Sequence, residues 1–249
     1  MSTKTIHVGR DVRAELQRRA AELRSTFAGR GTLVVNVVSS PGAGKTSLLQ
    51  ATARWWGGRR RMAVLVGDLA TDRDAQRLAP LCPVEQLTTG GACHLEIPLL
   101  ERGLERLVSH QGVDLEGLEF LFVENVGNLV CPASHDLAEH LRVVLLSATE
   151  GDDKPGKYPK MFRTADALVI TKIDLLPHVP FSVEAAAEDA RRIRPDVEVL
   201  SVSPLTGEGV PEWCAYLEHR RRLLVGAPAV ADGREEERPS DPVDAGLPR

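Results

Sequence analysis

No apolar run in the 249 residues approaches the roughly 20 needed to cross a bilayer. The opening residues Thr3-Lys4-Thr5-Ile6-His7 also lack the apolar core of a secretory signal. The expectation is a cytoplasmic chain with no membrane partner. A basic excess is missing as well. The 31 Lys and Arg stand against 35 Asp and Glu, a net charge of −4, so no global field argues for nucleic acid. The basic run Arg59-Arg60-Arg61 follows Gly57-Gly58 and reads as a helix end or turn. Cysteine is sparse. Cys82, Cys93, Cys131 and Cys214 are expected as thiols rather than as a disulfide framework, so those that matter would be metal ligands or nucleophiles.

What is present is an alternation of buried strands and helices. Val12, Leu16, Ala20, Leu23 and Phe27 form one stripe of a helix over residues 11–27. Apolar strands follow at 33–38, 62–66, 84–89, 120–123, 142–147, 167–171 and 197–202. Helices are predicted over 47–53, 71–81, 95–110 (Val108 among its inward residues), 181–193 capped by Ser182, and 210–224. The pattern predicts an α/β fold with a mainly parallel sheet covered by helices on both faces. Its organisation is expected to be an N-terminal amphipathic helix over 1–31 packed on the domain, a nucleotide-binding domain over 32–225, and a disordered tail over 226–249 rich in Pro, Asp, Glu, Arg and Gly.

The first strand runs into Ser39-Ser40-Pro41-Gly42-Ala43-Gly44-Lys45-Thr46-Ser47. A strand, a glycine-bearing turn and a helix N-terminus aim unpaired N–H groups at one point, which suits a phosphate. Lys45 would serve the β- and γ-phosphates as a catalytic cation, and the Thr46 hydroxyl suits Mg²⁺. Asp68 and Glu124 leave two further strands and are candidates for the Mg²⁺ side. Asp72 would orient the attacking water or, alternatively, cap the next helix. Thr171-Lys172-Ile173-Asp174 resembles the guanine-reading motif of GTPases, with Asp174 accepting two hydrogen bonds that adenine cannot donate. Thr171 stands where asparagine is usual, and its hydroxyl can still tie the loop together. Ser203 lies in a segment, 201–207, that would support the base from the other side. The motifs place no arginine to act as a finger in cis, so turnover is expected to be slow.

Cys93 and His94 sit side by side at the start of a predicted helix, where the helix N-terminus would favour thiolate. Cys131 lies on the segment that follows Glu124. Two thiols and an imidazole suit Ni²⁺ or Zn²⁺. The spacing alone also permits small buried cysteines with a surface histidine.

Together these stretches resemble the HypB family, GTPases that assist nickel insertion into nickel–iron hydrogenase. The resemblance covers residues about 5–225. It rests on the phosphate loop, on Gly67-Asp68 with Thr71-Asp72 and Asp74-Ala75, and on Thr89-Gly90-Gly91-Ala92-Cys93-His94-Leu95. It continues through Glu124-Asn125-Val126-Gly127-Asn128-Leu129-Val130-Cys131-Pro132 and the stretch from Glu150 to Pro159. It implies a SIMIBI-type P-loop fold binding GTP and Mg²⁺, with Cys93, His94 and Cys131 as a Ni²⁺ or Zn²⁺ site near the interface of a homodimer promoted by GTP or metal. The partners it implies are a nickel-delivery accessory protein and a hydrogenase large-subunit precursor. Segment 152–159 would lie near the nucleotide and that interface. No cysteine precedes Cys82 and no histidine run occurs, so the resemblance does not extend to the N-terminal nickel-capture motifs of some members. Rival expectations are a urease-type nickel GTPase, a non-hydrolysing scaffold stabilised by nucleotide, and an ATP-dependent kinase.

Overall fold

The computed structural model describes residues 8–68 and 73–226, with side chains from position 12 onward. Asp72, Thr71 and the proposed tail beyond Gly226 lie outside the described residues.

The elements alternate in chain order. They are α1 (Val8–Gly29), β1 (Leu33–Ser39), α2 (Lys45–Trp56), β2 (Met62–Asp68), α3 (Arg73–Leu78), β3 (Val84–Thr88), α4 (Ile97–Gln111) and β4 (Phe120–Glu124). After these come β5 (Leu141–Ser147), α5 (Lys154–Lys157), α6 (Pro159–Arg163), β6 (Ala167–Thr171), α7 (Val183–Ile193), β7 (Glu198–Val202) and α8 (Val210–Gly226). The strands form one sheet in the order β3-β2-β4-β1-β5-β6-β7, and every pairing is parallel. Every residue of β1 is buried, because a central parallel strand is covered on both faces and reads as an unbroken apolar run.

Successive side chains of a strand point to opposite faces, which divides the core. Val35 and Val37 meet Leu48, Leu49 and Trp56 of α2 and Trp213 of α8. Val34 meets Phe27 of α1 and Leu100, Leu104 and Leu107 of α4. Val38 packs with Phe162 of α6 and Ala186 of α7. Burying each large side chain contributes about 1.5–3 kcal/mol. The Trp213 indole donates to Thr52 Oγ1 at 2.9 Å, fastening α8 to α2.

Two apolar positions depart from the stripes read in the sequence. Val12 and Val108 are 55% and 45% exposed, and Val108 follows the fully buried Leu107 on the solvent side of α4. Arg59 caps α2 by donating to the carbonyls of Trp55 and Trp56. No helix among the described residues is long and apolar enough to cross a membrane.

Parallel register aligns the carboxyl ends. Val37 of β1 pairs with Glu124 of β4, and Val66 of β2 pairs with the same glutamate. Ser147 of β5 lies beside Thr171 of β6. Ligands of such sheets bind beyond this edge, and every candidate residue in the described segments lies on it or on a loop leaving it.

Candidate functional site

The turn after β1 needs backbone that only glycine adopts readily. Gly42 and Gly44 have φ of 77° and 95°, and Gly44 delivers the chain into α2. Lys45 and Thr46, the first residues of α2, are both buried. Lys45 Nζ donates to Ser39 Oγ at 3.2 Å, so the ammonium folds back over the loop. Burial pushes its pKa down, against the opposing charge of Glu124.

Glu124 is the counterpart. It is 3% exposed, and Thr46 Oγ1 donates to its Oε1 at 2.8 Å. Its Oε2 is buried without a partner. Burial raises its pKa to about 7, although Lys45 and Thr46 pull the other way. An orphaned carboxylate oxygen beside a hydroxyl is a donor set that fits a hard cation such as Mg²⁺, and Asp68 closes the neighbouring strand.

The base cleft lies on the far side of the loop. Gly44, Ser47, Thr171, Lys172, Asp174, Leu175, Pro204 and Leu205 line a cavity of about 280 Å³. Thr171 Oγ1 donates to the Ala43 carbonyl at 2.7 Å, and Lys172 Nζ donates to that of Gly42 at 2.9 Å. Lys172 itself takes a left-handed φ of 59°. Ser203 Oγ donates to Asp174 Oδ1 at 2.5 Å, which fixes the carboxylate at the cleft.

Two cations had no role assigned from the sequence. Lys154 of α5 donates to Ser40 Oγ and to Glu150 Oε1, both at 2.8 Å, so this segment reaches the phosphate loop. Arg77 of α3 donates to Ser47 Oγ at 3.2 Å and pairs with Asp74 at 3.4 Å. An arginine does therefore approach the phosphate-loop helix from within the chain.

The thiols gather at one end of the β4 loop. Cys131 opens a short 3₁₀ turn (Cys131–Ser134), and its thiol is near enough to Cys93 to act on that residue's titration. The expected thiolate-favouring helix start is corrected: α4 begins at Ile97. Cys93 sits in the preceding turn, and its pKa is pushed up, first by the neighbouring Cys131 thiol and then by burial.

His94, the third expected ligand, has contacts on two sides. His94 Nδ1 lies 3.7 Å from Cys93 Sγ, but its Nε2 faces Glu96 Oε1 at 3.3 Å. Its ring stacks on His135 at 3.6 Å. Among the described residues, the ligating atoms that all lie within 4.8 Å of one another belong to His94, Glu96 and His135. Among the described residues, the ligating atoms of Cys93, His94 and Cys131 do not form such a set. Cys82 and Cys214 are buried in the core, and burial pushes their thiols up to about 12.

The phosphate loop and the thiols touch through one segment. A side-chain carbon on Gly127 would lie 3.0 Å from Pro41 Cα, so the Gly127 backbone rests on the phosphate loop. The next residue, Asn128, donates to the Cys93 carbonyl at 3.4 Å.

Residues 33–201 match the family described as "CobW/HypB/UreG, nucleotide-binding domain". The hydrogenase maturation factor HypB of Azotobacter vinelandii is 48% identical over 220 residues, 88% of this chain and 71% of its own length. The chain belongs to the HypB family. The crystal structure of HypB from Helicobacter pylori in complex with nickel is 38% identical with a TM-score of 0.78, covering 84% of this chain and 95% of that one. HypB from Archaeoglobus fulgidus is 34% identical with a TM-score of 0.75, covering 84% and 99%. The fold expectation of a SIMIBI-type P-loop sheet therefore holds for this HypB chain, as does the resemblance read from its motifs. Within the HypB frame, the residues that sequence reasoning passed over are Glu96, His135, Lys154 and Arg77. A cue for His135 was its position four residues after Cys131, one helical turn away.

Proposed function

We propose that this chain is a GTP-hydrolysing nickel metallochaperone that assists nickel insertion into a hydrogenase precursor, with nucleotide state coupled to the thiol pair. The observation that carries the reading is the contact from Pro41 through Gly127 and Asn128 to Cys93, which joins the phosphate loop to a metal-binding thiol. Membership of the HypB family supports the cargo and the recipient.

In this reading the N–H groups at the start of α2 and the Lys45 ammonium hold the β- and γ-phosphates of GTP. Asp174, held by Ser203, accepts from the guanine edge. Lys172 lies along the base, and Thr171 stands in for asparagine by tying β6 to the Ala43 carbonyl. Thr46, Glu124 and Asp68 are the residues that would hold Mg²⁺, which when bound neutralises charge developing on the phosphate oxygens. Asp72 is assigned to orienting the attacking water. Lys154 at Ser40 and Arg77 at Ser47 add positive charge at the loop's two ends. Slow turnover belongs to this reading, since the motifs supply no arginine finger in cis.

Nickel is the cargo, taken by Cys93, His94 and Cys131, with Zn²⁺ as an alternative occupant. GTP or metal promotes a homodimer in the cytoplasm, an accessory protein supplies nickel, and the hydrogenase large-subunit precursor receives it. On this reading residues 32–225 carry these activities, with the helix before them as packing and the segment after them as a tail.

Nickel titration of protein loaded with GDP and with a non-hydrolysable GTP analogue tests the coupling. Affinities that differ several-fold are expected, with the reciprocal effect on nucleotide affinity. Identical affinities would retire the switch.

A further inference from the structure

We propose that the chain carries a second metal subsite, formed by His94, Glu96 and His135, beside the thiol pair Cys93 and Cys131. It would take a first-row divalent cation of the nickel and zinc class.

The ligating atoms of the three residues all lie within 4.8 Å of one another. Two nitrogens and a carboxylate oxygen suit Zn²⁺ or Ni²⁺, and a water can fill the remaining position. The tautomer of His135 follows from its partner. Its Nδ1 lies 2.9 Å from the Cys131 carbonyl, which can only accept, so Nδ1 carries the proton and Nε2 keeps a free lone pair. A backbone carbonyl on the second ring nitrogen is the usual support of a ligating histidine.

The backbone beneath His135 is held from two sides. Arg142 donates to the His135 carbonyl at 2.7 Å, and Arg24 pairs with the neighbouring Asp136. Glu96 faces the other ring, with Oε1 at 3.3 Å from His94 Nε2. It lines two cavities of about 560 and 180 Å³, the first shared with His135 and the second with His94. Solvent ions therefore reach the set from either side.

The two rings are stacked at 3.6 Å with 21° between their planes. Lone pairs of near-parallel rings do not converge, so ligation turns one imidazole out of the stack. Metal–nitrogen bonds of about 2.0–2.1 Å also require the atoms to close in. His94 is the ring free to turn, since its Nδ1 contact to Cys93 Sγ is long at 3.7 Å. One rotation thus moves it between the sulfur side and the imidazole–carboxylate side. Oxygen and nitrogen donors hold borderline ions less firmly than thiolates do, so the outer set is built to receive a cation and the thiols to keep it. The existence of the subsite stands on its own geometry; its place in delivery rests on the proposed function.

The test uses the full chain carrying Cys93→Ala and Cys131→Ala, stripped of metal and titrated with Co²⁺, with Zn²⁺ and Ni²⁺ measured by chelator competition. One equivalent of Co²⁺ is expected, with ligand-field absorption and no sulfur charge-transfer band. Adding His135→Phe, which keeps a ring for stacking, or Glu96→Gln should weaken binding at least about tenfold, with GTP affinity retained as the sign of a folded chain. A double-cysteine variant that binds nucleotide but no cation would overturn the subsite. So would binding that is indifferent to both added substitutions. Failure of the thiol site shows separately, as wild-type protein without a sulfur charge-transfer band.

Discussion

Replacing Glu124 by glutamine should remove, or invert, a pH dependence of stability built into the nucleotide-free protein. Glu124 is buried at the end of β4 with one oxygen satisfied by Thr46 and the other unpaired. Its pKa rises from 4.5 to about 7, so the native state binds this proton more tightly than the unfolded chain does. The sign follows from linkage: the stabilisation is complete below about pH 4.5 and is lost as pH rises through about 7. The gap between those values, at about 1.36 kcal/mol per pH unit, amounts to roughly 3 kcal/mol. Urea unfolding at pH 5 and pH 8, followed by tryptophan fluorescence from the buried Trp56 and Trp213, measures it. The difference between the two pH values is the readout, because the variant also strips Lys45 of its counter-charge and shifts the absolute level. In Glu124→Gln this difference should vanish or change sign, since a depressed lysine pKa favours the native state at higher pH. A companion measurement is calorimetry of Mg²⁺-nucleotide binding near pH 6.5 in buffers of differing ionisation heat. Wild type should release a proton from Glu124, and the variant should not. Wild type and variant losing equal stability between pH 5 and pH 8 would refute the assignment of the buried proton.

Asp174→Ala should weaken GTP binding by about 10²-fold or more while leaving ATP binding nearly unchanged, since charged hydrogen bonds are worth roughly 1.5–3 kcal/mol each; competition between the two nucleotides reads it, and a preserved GTP preference removes the guanine assignment. Gly127→Ala puts a methyl group 3.0 Å from Pro41 Cα, closer than ordinary packing permits. The ratio of nickel affinities in the GDP and GTP-analogue states should then fall toward one, and a ratio equal to wild type would break the proposed path. Thiol labelling of native protein at pH 8 should modify Cys93 and Cys131 and spare Cys82 and Cys214, whose thiols burial pushes up to about 12. Fast modification of all four by mass spectrometry would contradict their place in the core.

The sheet was legible because parallel strands buried on both faces leave continuous apolar runs, and β1, β4, β5 and β6 are buried throughout. Motifs at strand ends were legible for the same reason, since parallel topology carries every carboxyl end to one edge. Boundaries were harder. Leu95 is fully buried but precedes α4. It packs beneath Gly67, where any side chain would collide with it, so its burial serves β2 rather than helical periodicity. Side-chain direction was not legible at all. Adjacency of Cys93 and His94 suggested shared ligation, but it gave no sign that the same imidazole also stacks on His135 and faces Glu96. Glu96 and His135 carry no motif spacing, and Lys154 lay in a stretch expected near the nucleotide without a role of its own. Only the packed structure brings them to the cysteine turn and the phosphate loop.

On the proposed reading, the geometry also says which coordinate the nucleotide acts on. The segment after Glu124 is pinned at its near end, where Asn125 N–H donates to Val37 O at 3.0 Å and the Asn125 side chain bonds that of Asn36. Its far end is pinned through Arg142, which holds the His135 carbonyl and is itself paired with the buried Glu139. Movement imposed by the phosphate loop is therefore confined to the peptides between, where Pro41 rests on Gly127 backbone and Asn128 tethers Cys93. A contact of ring against backbone transmits a push with little slack, whereas a 3.4 Å side-chain hydrogen bond yields when pulled. Ordering of the phosphate loop would thus displace Cys93 relative to a Cys131 held by its own turn. The separation of the two sulfurs is the quantity that changes, and a thiolate-bound cation is sensitive to that distance because its bonds to sulfur have a fixed length near 2.3 Å.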